Sequence, residues 1–202
     1  MGVTRIIAGA AGSLPLAVPS AGTRPTSERV RESLFGALES ADLIESAAVL
    51  DLYAGSGALG LEAVSRGASS ADLVERAPRA ASVIERNVRA VARSLPDRRV
   101  TVHRSSADAF LRAGGPSFDL VFVDPPYDMT DAEVSTTLSL LTPRLTDSAV
   151  VVVERATRSG EPDLPAGLVV DRAKKYGDTT LWWLAPADAA DAGQPSAESQ
   201  SA

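Results

Sequence analysis

The chain alternates apolar segments of strand length with segments of helical periodicity, and this alternation restricts its fold more than any other feature of the sequence. Two of the segments, Leu120–Val123 and Val150–Val153, are continuous apolar runs. A strand with one face in water alternates apolar and polar residues, whereas a continuous run indicates a strand that is covered on both faces. The sequence therefore predicts an α/β protein with a mainly parallel sheet.

Five strands and four helices follow this alternation. The predicted strands are Ala48–Tyr53, Ala71–Glu75, Val100–His103, Leu120–Asp124 and Ala149–Glu154. The predicted helices are Leu59–Arg66, Arg79–Leu95, Ala107–Arg112 and Asp131–Leu141. Two further strands, Leu168–Arg172 and Thr179–Leu184, are separated by a loop too short for a crossover helix, so they must pair antiparallel. Together these elements predict a seven-stranded, Rossmann-like sheet that ends in an antiparallel hairpin.

A small N-terminal extension precedes this sheet. Thr4–Ala8 and Leu14–Val18 are predicted as two strands of a β-hairpin that turns through glycines. A helix is predicted from Pro25 to about Ser40, because Thr26 can cap its first turn and apolar residues recur along one face. The predicted organisation is an extension over residues 1–40, the sheet domain over 41–185, and an acidic tail over 186–202 that has too few apolar residues to fold.

The composition limits the available chemistry. The sequence has no cysteine and one histidine. Disulfides and thiolate metal sites are therefore excluded, and no metal site is predicted. No apolar run is long enough to span a bilayer and no signal peptide opens the chain, so we expect a cytoplasmic enzyme with an organic cofactor. The net charge of −6 is weak evidence against a nucleic-acid partner, because the tail contributes acids only and the N-terminal region is rich in arginine.

The segment from Asp51 to Gly60 lies where a predicted strand ends and a helix begins. Gly55, Gly57 and Gly60 have the spacing of the dinucleotide-binding fingerprint, in which glycines permit a tight turn and a close approach of a ligand to the main chain. Ordinary strand-to-helix turns also match that spacing. Asp51 separates the cofactor classes, because its carboxylate would repel a pyrophosphate and attract a molecule that carries an ammonium and a sulfonium. The segment favours S-adenosylmethionine over NAD.

Two more acids follow the next two strands. Glu75 closes the second strand, where a carboxylate can accept hydrogen bonds from both ribose hydroxyls, and Asp108 follows the third, where it can accept from an adenine amino group. The alternatives are a solvated charge beside Arg76 for the first and a carboxylate that supports a helix start for the second. The predicted cofactor site consists of Asp51, Tyr53, Gly55, Gly57, Glu75, Arg76, Ala107, Asp108 and Asp124.

The segment that decides the reaction type is Asp124-Pro125-Pro126-Tyr127, which ends a buried strand. An exocyclic amine of guanine or adenine is a poor nucleophile, because its lone pair is delocalised into the ring. The carboxylate of Asp124 and the carbonyl of Pro125 can accept its N–H bonds, and the two prolines hold these acceptors rigid. Tyr127 offers a face on which the base can stack. The alternative is a plain Pro-Pro turn with Asp124 as a surface charge.

With this motif the chain resembles the class I S-adenosylmethionine methyltransferases, and more narrowly the RsmD family of bacterial guanine-N2 methyltransferases that act on small-subunit rRNA. The specific parts of the resemblance are Arg5–Gly9, Arg24–Phe35 and Lys174–Thr179. The resemblance implies a class I methyltransferase fold, and catalytic roles for Asp124, Pro125, Pro126 and Tyr127. It also implies methylation of one guanine in 16S rRNA, within an assembled or nearly assembled 30S subunit, by a monomeric enzyme.

The basic residues outside the sheet domain core are candidates for RNA contacts. An arginine near the start of a helix can reach a phosphate or a splayed base. For any single arginine, a solvated helix face with Glu28 and Glu32 as partners is an equally good interpretation. The predicted RNA-binding residues are Arg5, Arg24, Thr26, Arg29, Arg31, Lys174 and Lys175, of which the two lysines are expected on the loop of the terminal hairpin.

Four other functions compete with this interpretation. A DNA adenine-N6 methyltransferase uses the same motif but needs a target-recognition insertion for which this chain has no room. A protein glutamine methyltransferase has asparagine at the position of Asp124. An NAD-dependent oxidoreductase would explain the glycines and Glu75, but neither Asp51 nor the Asp-Pro-Pro-Tyr motif. An RNA-binding assembly factor without activity would not need an intact motif.

Overall fold

A computed structural model describes residues 2–19 and 28–187 of the chain. The strands are β1 (Gly2–Arg5), β2 (Pro15–Val18), β3 (Ala48–Leu52), β4 (Ser70–Val74), β5 (Arg99–His103), β6 (Phe118–Val123), β7 (Leu145–Ala156), β8 (Leu168–Tyr176) and β9 (Thr179–Pro186). The helices are α1 (Glu28–Ser40), α2 (Ala58–Ser65), α3 (Pro78–Ala92), α4 (Ala107–Arg112) and α5 (Asp131–Leu141), with short 3-10 helices at Thr142–Arg144 and Thr157–Ser159.

The main sheet has seven strands in the order β5-β4-β3-β6-β7-β9-β8. The first five in this order are parallel, and β9 lies antiparallel between β7 and β8. This confirms the predicted α/β class I methyltransferase fold with its C-terminal antiparallel hairpin. Because the chain runs from β3 outward to β5 and then returns to place β6 beside β3, the strand order reverses between β3 and β6. Such a reversal opens a crevice at the carboxyl ends of the strands.

Both faces of the sheet are covered, as the continuous apolar runs predicted. On one face, Leu61 and Ile84 pack against sheet residues such as Leu73. On the other face, Leu138 of α5 belongs to the cluster that contains Val121. All five side chains are buried. In the described ranges, no helix is long and apolar enough to cross a membrane.

Local sequence signals explain where the helices begin. Pro78 occupies the first turn of α3, where its missing N–H is not needed. Thr130 and Glu133 form a reciprocal capping box at the start of α5, in which the threonine Oγ1 accepts from the amide of Glu133 at 3.3 Å and the glutamate accepts from the amide of Thr130 at 2.8 Å. This cap fixes the end of the loop that follows β6.

The N-terminal hairpin is present, but its first strand ends earlier than predicted. The prediction was Thr4–Ala8, whereas β1 covers Gly2–Arg5 and pairs with β2. Ile6 still makes hydrogen bonds within the hairpin, since its amide donates to the carbonyl of Leu14 and its carbonyl accepts from Ser13, but the amides of Ile7 and Ala8 then donate to the carboxylate of Glu62 on α2. The predicted start of the first helix, at Pro25 and Thr26, lies outside the described residues.

Gly9 shows how tightly the N-terminal extension is seated on the sheet domain. It has φ of +81°, and a Cβ at this position would lie 1.9 Å from the carbonyl oxygen of Ser65. Ala10 donates to that same carbonyl at 2.8 Å. Only glycine permits both the left-handed backbone and this close approach.

Candidate active site

A cavity of about 720 Å³ opens at the carboxyl ends of the central parallel strands. Its walls come from the segments that follow β3, β4, β5 and β6, and from the N-terminal extension. The acids predicted from the sequence meet here, although they are far apart in the chain. Residues of the predicted site that line the cavity are Asp51, Tyr53, Gly55, Glu75, Arg76, Ala107, Asp108, Asp124, Pro125, Pro126 and Tyr127. The structure thus brings the predicted cofactor side and the predicted catalytic motif into one space.

Asp51 lies at the end of β3 and is almost fully buried. Its Oδ2 accepts from the amide of Gly60 at 3.0 Å, which ties the strand to the first turn of α2. Burial raises the pKa of Asp51 to about 7, the Gly60 hydrogen bond opposes this effect, and the negative charge of Glu75 adds to it. A buried carboxylate with these neighbours is best stabilised by a bound cation.

The raised pKa makes the stability of the protein depend on pH. Between about pH 4 and pH 7 the folded chain holds a proton on Asp51 that the unfolded chain releases, so the contribution of Asp51 to the free energy of unfolding falls over this range and is constant above it. Asp51→Asn should remove this loss and raise the free energy of unfolding at pH 8 by up to about 4 kcal/mol. Urea denaturation at pH 5 and pH 8 measures the effect, and an equal change at both pH values would contradict it.

Glu75 follows β4 and connects two loops of the cavity wall. One carboxylate oxygen accepts from the amide of Gly55 at 3.0 Å, and the other accepts from the amide of Ala77 at 2.7 Å. Glu75 is therefore a half-buried, oriented carboxylate and not a freely solvated charge. A carboxylate has about four acceptor positions, so these two bonds leave capacity for ligand hydroxyls. Its neighbour Arg76 is exposed and also lines the cavity.

Asp108 lies in the first turn of α4, but it does not cap that helix. Ser106 does so, because its Oγ accepts from the amide of Ala109. Oδ1 of Asp108 instead accepts from the hydroxyl of Thr137 on α5 at 3.0 Å. The carboxylate is therefore held by a residue of another helix, and its place in the first turn of α4 also agrees with the helix-start interpretation.

The motif predicted to be catalytic begins directly after β6. Asp124 is half-buried, Pro125 is buried, and Tyr127 is 59% exposed at the rim of the cavity. The segment then closes in a turn in which the amide of Met129 donates to the carbonyl of Pro126 at 3.0 Å. This places a carboxylate, a rigid main chain and an aromatic face at one edge of the cavity.

Comparison with known proteins identifies the family. A family model described as conserved hypothetical protein 95 matches residues 4–185. An Escherichia coli protein named ribosomal RNA small subunit methyltransferase D is 39% identical over 177 residues, which cover 87% of this chain and 86% of that protein. The chain belongs to the RsmD family. As a member of that family it is a methyltransferase.

Two other relatives agree with this membership. The putative rRNA methyltransferase YlbH of Bacillus subtilis is 31% identical over 179 residues, covering 87% of this chain and 95% of that protein. The solved structure of the putative methyltransferase yhhF from Escherichia coli has a TM-score of 0.79 and 35% identity, and the match covers 93% of this chain and all of that one.

Within this RsmD-family chain, the N-terminal basic residues take different positions. Arg29 is exposed on α1, and Arg5 makes a surface ion pair with Glu28 at 3.5 Å. Arg31 is only 2% exposed and lines the cavity, and its Nη2 donates to the Thr4 hydroxyl and to the carbonyl of Arg5. The structure therefore places Arg31 in the cavity wall and not on an open helix face. Arg24 and Thr26 lie outside the described residues.

The two predicted lysines lie on a strand and not on the hairpin loop, because β8 continues to Tyr176. Both are exposed. Lys174 donates to the hydroxyl of Ser33 on α1 at 3.2 Å, and the hydroxyl of Tyr176 lies 2.8 Å from the same oxygen. The terminal hairpin and α1 therefore form one surface beside the cavity.

Three buried polar residues support this site and were not predicted. Thr137 holds Asp108, Glu62 holds the N-terminal segment, and Arg155 holds the loop after the catalytic motif through the carbonyl of Met129 and the carboxylate of Asp131. Each partner is distant in sequence. No local pattern therefore distinguishes these residues from ordinary polar positions of a helix or strand.

Proposed function

We propose that the protein transfers a methyl group from S-adenosylmethionine to the exocyclic N2 of one guanine in 16S rRNA. The observation that carries this proposal is the position of Asp124-Pro125-Pro126-Tyr127, at the cavity edge beside three oriented or buried acids. The acids suit a cationic nucleoside cofactor, and the motif suits a neutral aromatic amine. A pyrophosphate in place of the cationic end would have to lie against the carboxylate of Asp51.

Asp51, Glu75 and Asp108 would each bind a different part of the cofactor. Asp51 would hold the methionine end, where an ammonium compensates the buried carboxylate, and Gly55 would let the cofactor approach the main chain. Gly57, also predicted for this site, is not among the residues that line the cavity, and its amide donates to the carbonyl of Ala54 at 2.6 Å. Glu75 would accept from the ribose hydroxyls with its remaining lone pairs. Asp108 would accept from the adenine amino group. When bound, S-adenosylmethionine supplies an electrophilic methyl group on a sulfonium.

The catalytic motif would act on the guanine. The carboxylate of Asp124 and the carbonyl of Pro125 accept the two N–H bonds of the amine, which favours a tetrahedral nitrogen with an available lone pair. Asp124 and Pro125 would in this way direct the lone pair of the amine toward the methyl group that a bound cofactor would supply. The released proton passes to Asp124 or to water. Tyr127, which is exposed at the rim, would stack on the flipped base.

The choice of RNA as substrate is supported by the names of the relatives and by the charge of one surface. The Escherichia coli relative named above is a ribosomal RNA small subunit methyltransferase by name. Exposed Lys174 on β8 contacts Ser33 of α1, and exposed Arg29 lies one turn before Ser33 on that helix. Exposed Lys175 follows Lys174 in the strand and points to the opposite face. These few cations would bind free RNA weakly, because each phosphate contact contributes a limited electrostatic gain. We therefore propose the assembled or assembling 30S subunit as the substrate, with a monomeric enzyme.

Methylation of 30S subunits from a strain that lacks the family enzyme tests this function. With radiolabelled S-adenosylmethionine, we expect one methyl group per particle, recovered as N2-methylguanosine after nuclease digestion of the 16S rRNA. Recovery as N6-methyladenosine, or equal transfer to free 16S rRNA, would contradict the base or the substrate respectively. Calorimetry should show binding of S-adenosylmethionine and none of NAD, and the reverse would overturn the cofactor assignment.

A further inference from the structure

Thr137 lies in the middle of α5 and is fully buried. Its hydroxyl is 3.0 Å from the hydroxyl of Tyr53 and donates to Oδ1 of Asp108, also at 3.0 Å. Tyr53 and Asp108 both line the cavity, whereas Thr137 stands behind them. One buried hydroxyl therefore connects the segment after β3 with the acid that follows β5.

The direction of the hydrogen bonds in this chain is determined by chemistry. Thr137 has a single hydroxyl proton, and an ionised Asp108 can only accept, so that proton points to Asp108. The hydroxyl of Tyr53 must then donate to Thr137. Burial raises the pKa of Tyr53, which keeps this donor protonated at neutral pH. Two hydrogen bonds in series thus converge on one oxygen of the carboxylate.

The backbone of Tyr53 is shaped for this contact. Its φ is +66°, a left-handed conformation that a bulky side chain rarely adopts. With this turn, the ring packs with the apolar cluster that contains Leu138 of α5, while the main chain continues to Gly55. The left-handed backbone of Tyr53 costs conformational free energy, which the surrounding contacts must offset. Such strain at a cavity wall indicates that the position of the Tyr53 hydroxyl matters for function.

We propose that Thr137 is a positioning residue that holds Asp108 for the 6-amino group of adenine, and so gives the cofactor site its selectivity against 6-oxopurines. The inference rests on the proposed use of S-adenosylmethionine. A 6-oxopurine presents a carbonyl oxygen in place of the amine and a proton on the neighbouring ring nitrogen. A carboxylate that can rotate reaches that proton, whereas one held through Oδ1 cannot, and it meets the carbonyl oxygen instead.

Binding of S-adenosylhomocysteine and S-inosylhomocysteine to the full chain, measured by calorimetry, tests this role. The wild type should prefer the adenosyl compound. Thr137→Val should weaken its binding by about three- to tenfold, because the amine loses the positioned carboxylate, and should not weaken binding of the inosyl compound, because the freed carboxylate can turn toward the ring N–H. Thr137→Ser should restore the preference. Tyr53→Phe, which removes only the donor to Thr137, should reduce it in the same direction but less.

The control variant is Ser139→Ala on the same helix, whose exposed hydroxyl donates to the carbonyl of Ser135 within α5. It should leave both affinities unchanged. In an Asp108→Asn background, Thr137→Val should lose its effect, since the two residues act through one interaction. Equal weakening of both compounds by Thr137→Val would show a structural role and overturn the inference. A wild type that binds both compounds equally would also overturn it, whereas a wild type that binds neither would refute the cofactor assignment itself.

Discussion

Asp124→Ala is expected to abolish methyl transfer to the 30S subunit while S-adenosylmethionine still binds. In the proposed mechanism the carboxylate is the acceptor that helps the guanine amine to become tetrahedral, so its contribution would exist mainly in the transition state. Loss of one such preorganised polar group lowers kcat by about 100- to 1000-fold. Single-turnover methylation measures the rate. Calorimetry measures the affinity for S-adenosylmethionine, which should change by less than about threefold, because the variant loses an interaction that is made mainly in the transition state.

Two further variants make this result specific. Asp124→Asn keeps one carbonyl acceptor and should retain more activity than the alanine variant. Asp147→Asn removes an exposed carboxylate near the start of β7, on another part of the sheet, and should have the activity of the wild type. Full activity of Asp124→Ala would refute the catalytic assignment, and loss of cofactor binding together with activity would assign the residue to the cofactor instead.

Most of the fold was predictable because its strands carry strong local signals. In a run such as Leu120–Val123 the apolar side chains on both faces of the strand must be buried, which requires a layer of helices on each side of the sheet. The structure places these runs in the middle of such a covered sheet. The predicted strand ends are wrong where a residue distant in sequence binds the backbone. The strand predicted over Thr4–Ala8 ends early because the amides of Ile7 and Ala8 donate to Glu62, and the lysines lie in β8 because β9 pairs with it up to Tyr176.

The site was partly predictable for a topological reason. The carboxyl ends of parallel strands meet at one edge of a sheet, so acids that follow successive strands must approach one another. Asp51, Glu75, Asp108 and Asp124 do so. The orientation of these acids was not predictable. It depends on single hydrogen bonds such as that from Thr137 to Asp108, which joins residues on different helices.

Of the variants proposed here, Glu62→Ala is expected to lower the free energy of unfolding most. Glu62 is fully buried on α2 and accepts from the amides of Ile7 and Ala8 at 2.7 and 3.0 Å and from Nε of Arg66 at 2.7 Å. Without the carboxylate, the two amides lose their acceptor, and the mostly buried guanidinium of Arg66 keeps only its ion pair with Glu39. A buried donor left without an acceptor costs about 1–3 kcal/mol, so we expect a loss of about 3 kcal/mol in the free energy of unfolding. Urea denaturation measures the loss, and a loss below about 1 kcal/mol would refute this anchoring role.

The carboxylate of Glu62 should also affect methyl transfer to RNA, because it holds the N-terminal hairpin that precedes α1 against the sheet domain. Glu62→Gln has the same shape but turns an amide N–H₂ toward at least one of the three donors, so it should free the N-terminal segment while the sheet domain stays folded. We therefore expect transfer to 30S subunits to fall more than binding of S-adenosylmethionine. The matched control is Glu85→Gln, since Glu85 pairs with Arg104 on the surface and its loss should cost about 1 kcal/mol or less. If Glu62→Gln lowered cofactor binding and transfer equally, the hairpin would act on the cofactor cavity and not on the RNA.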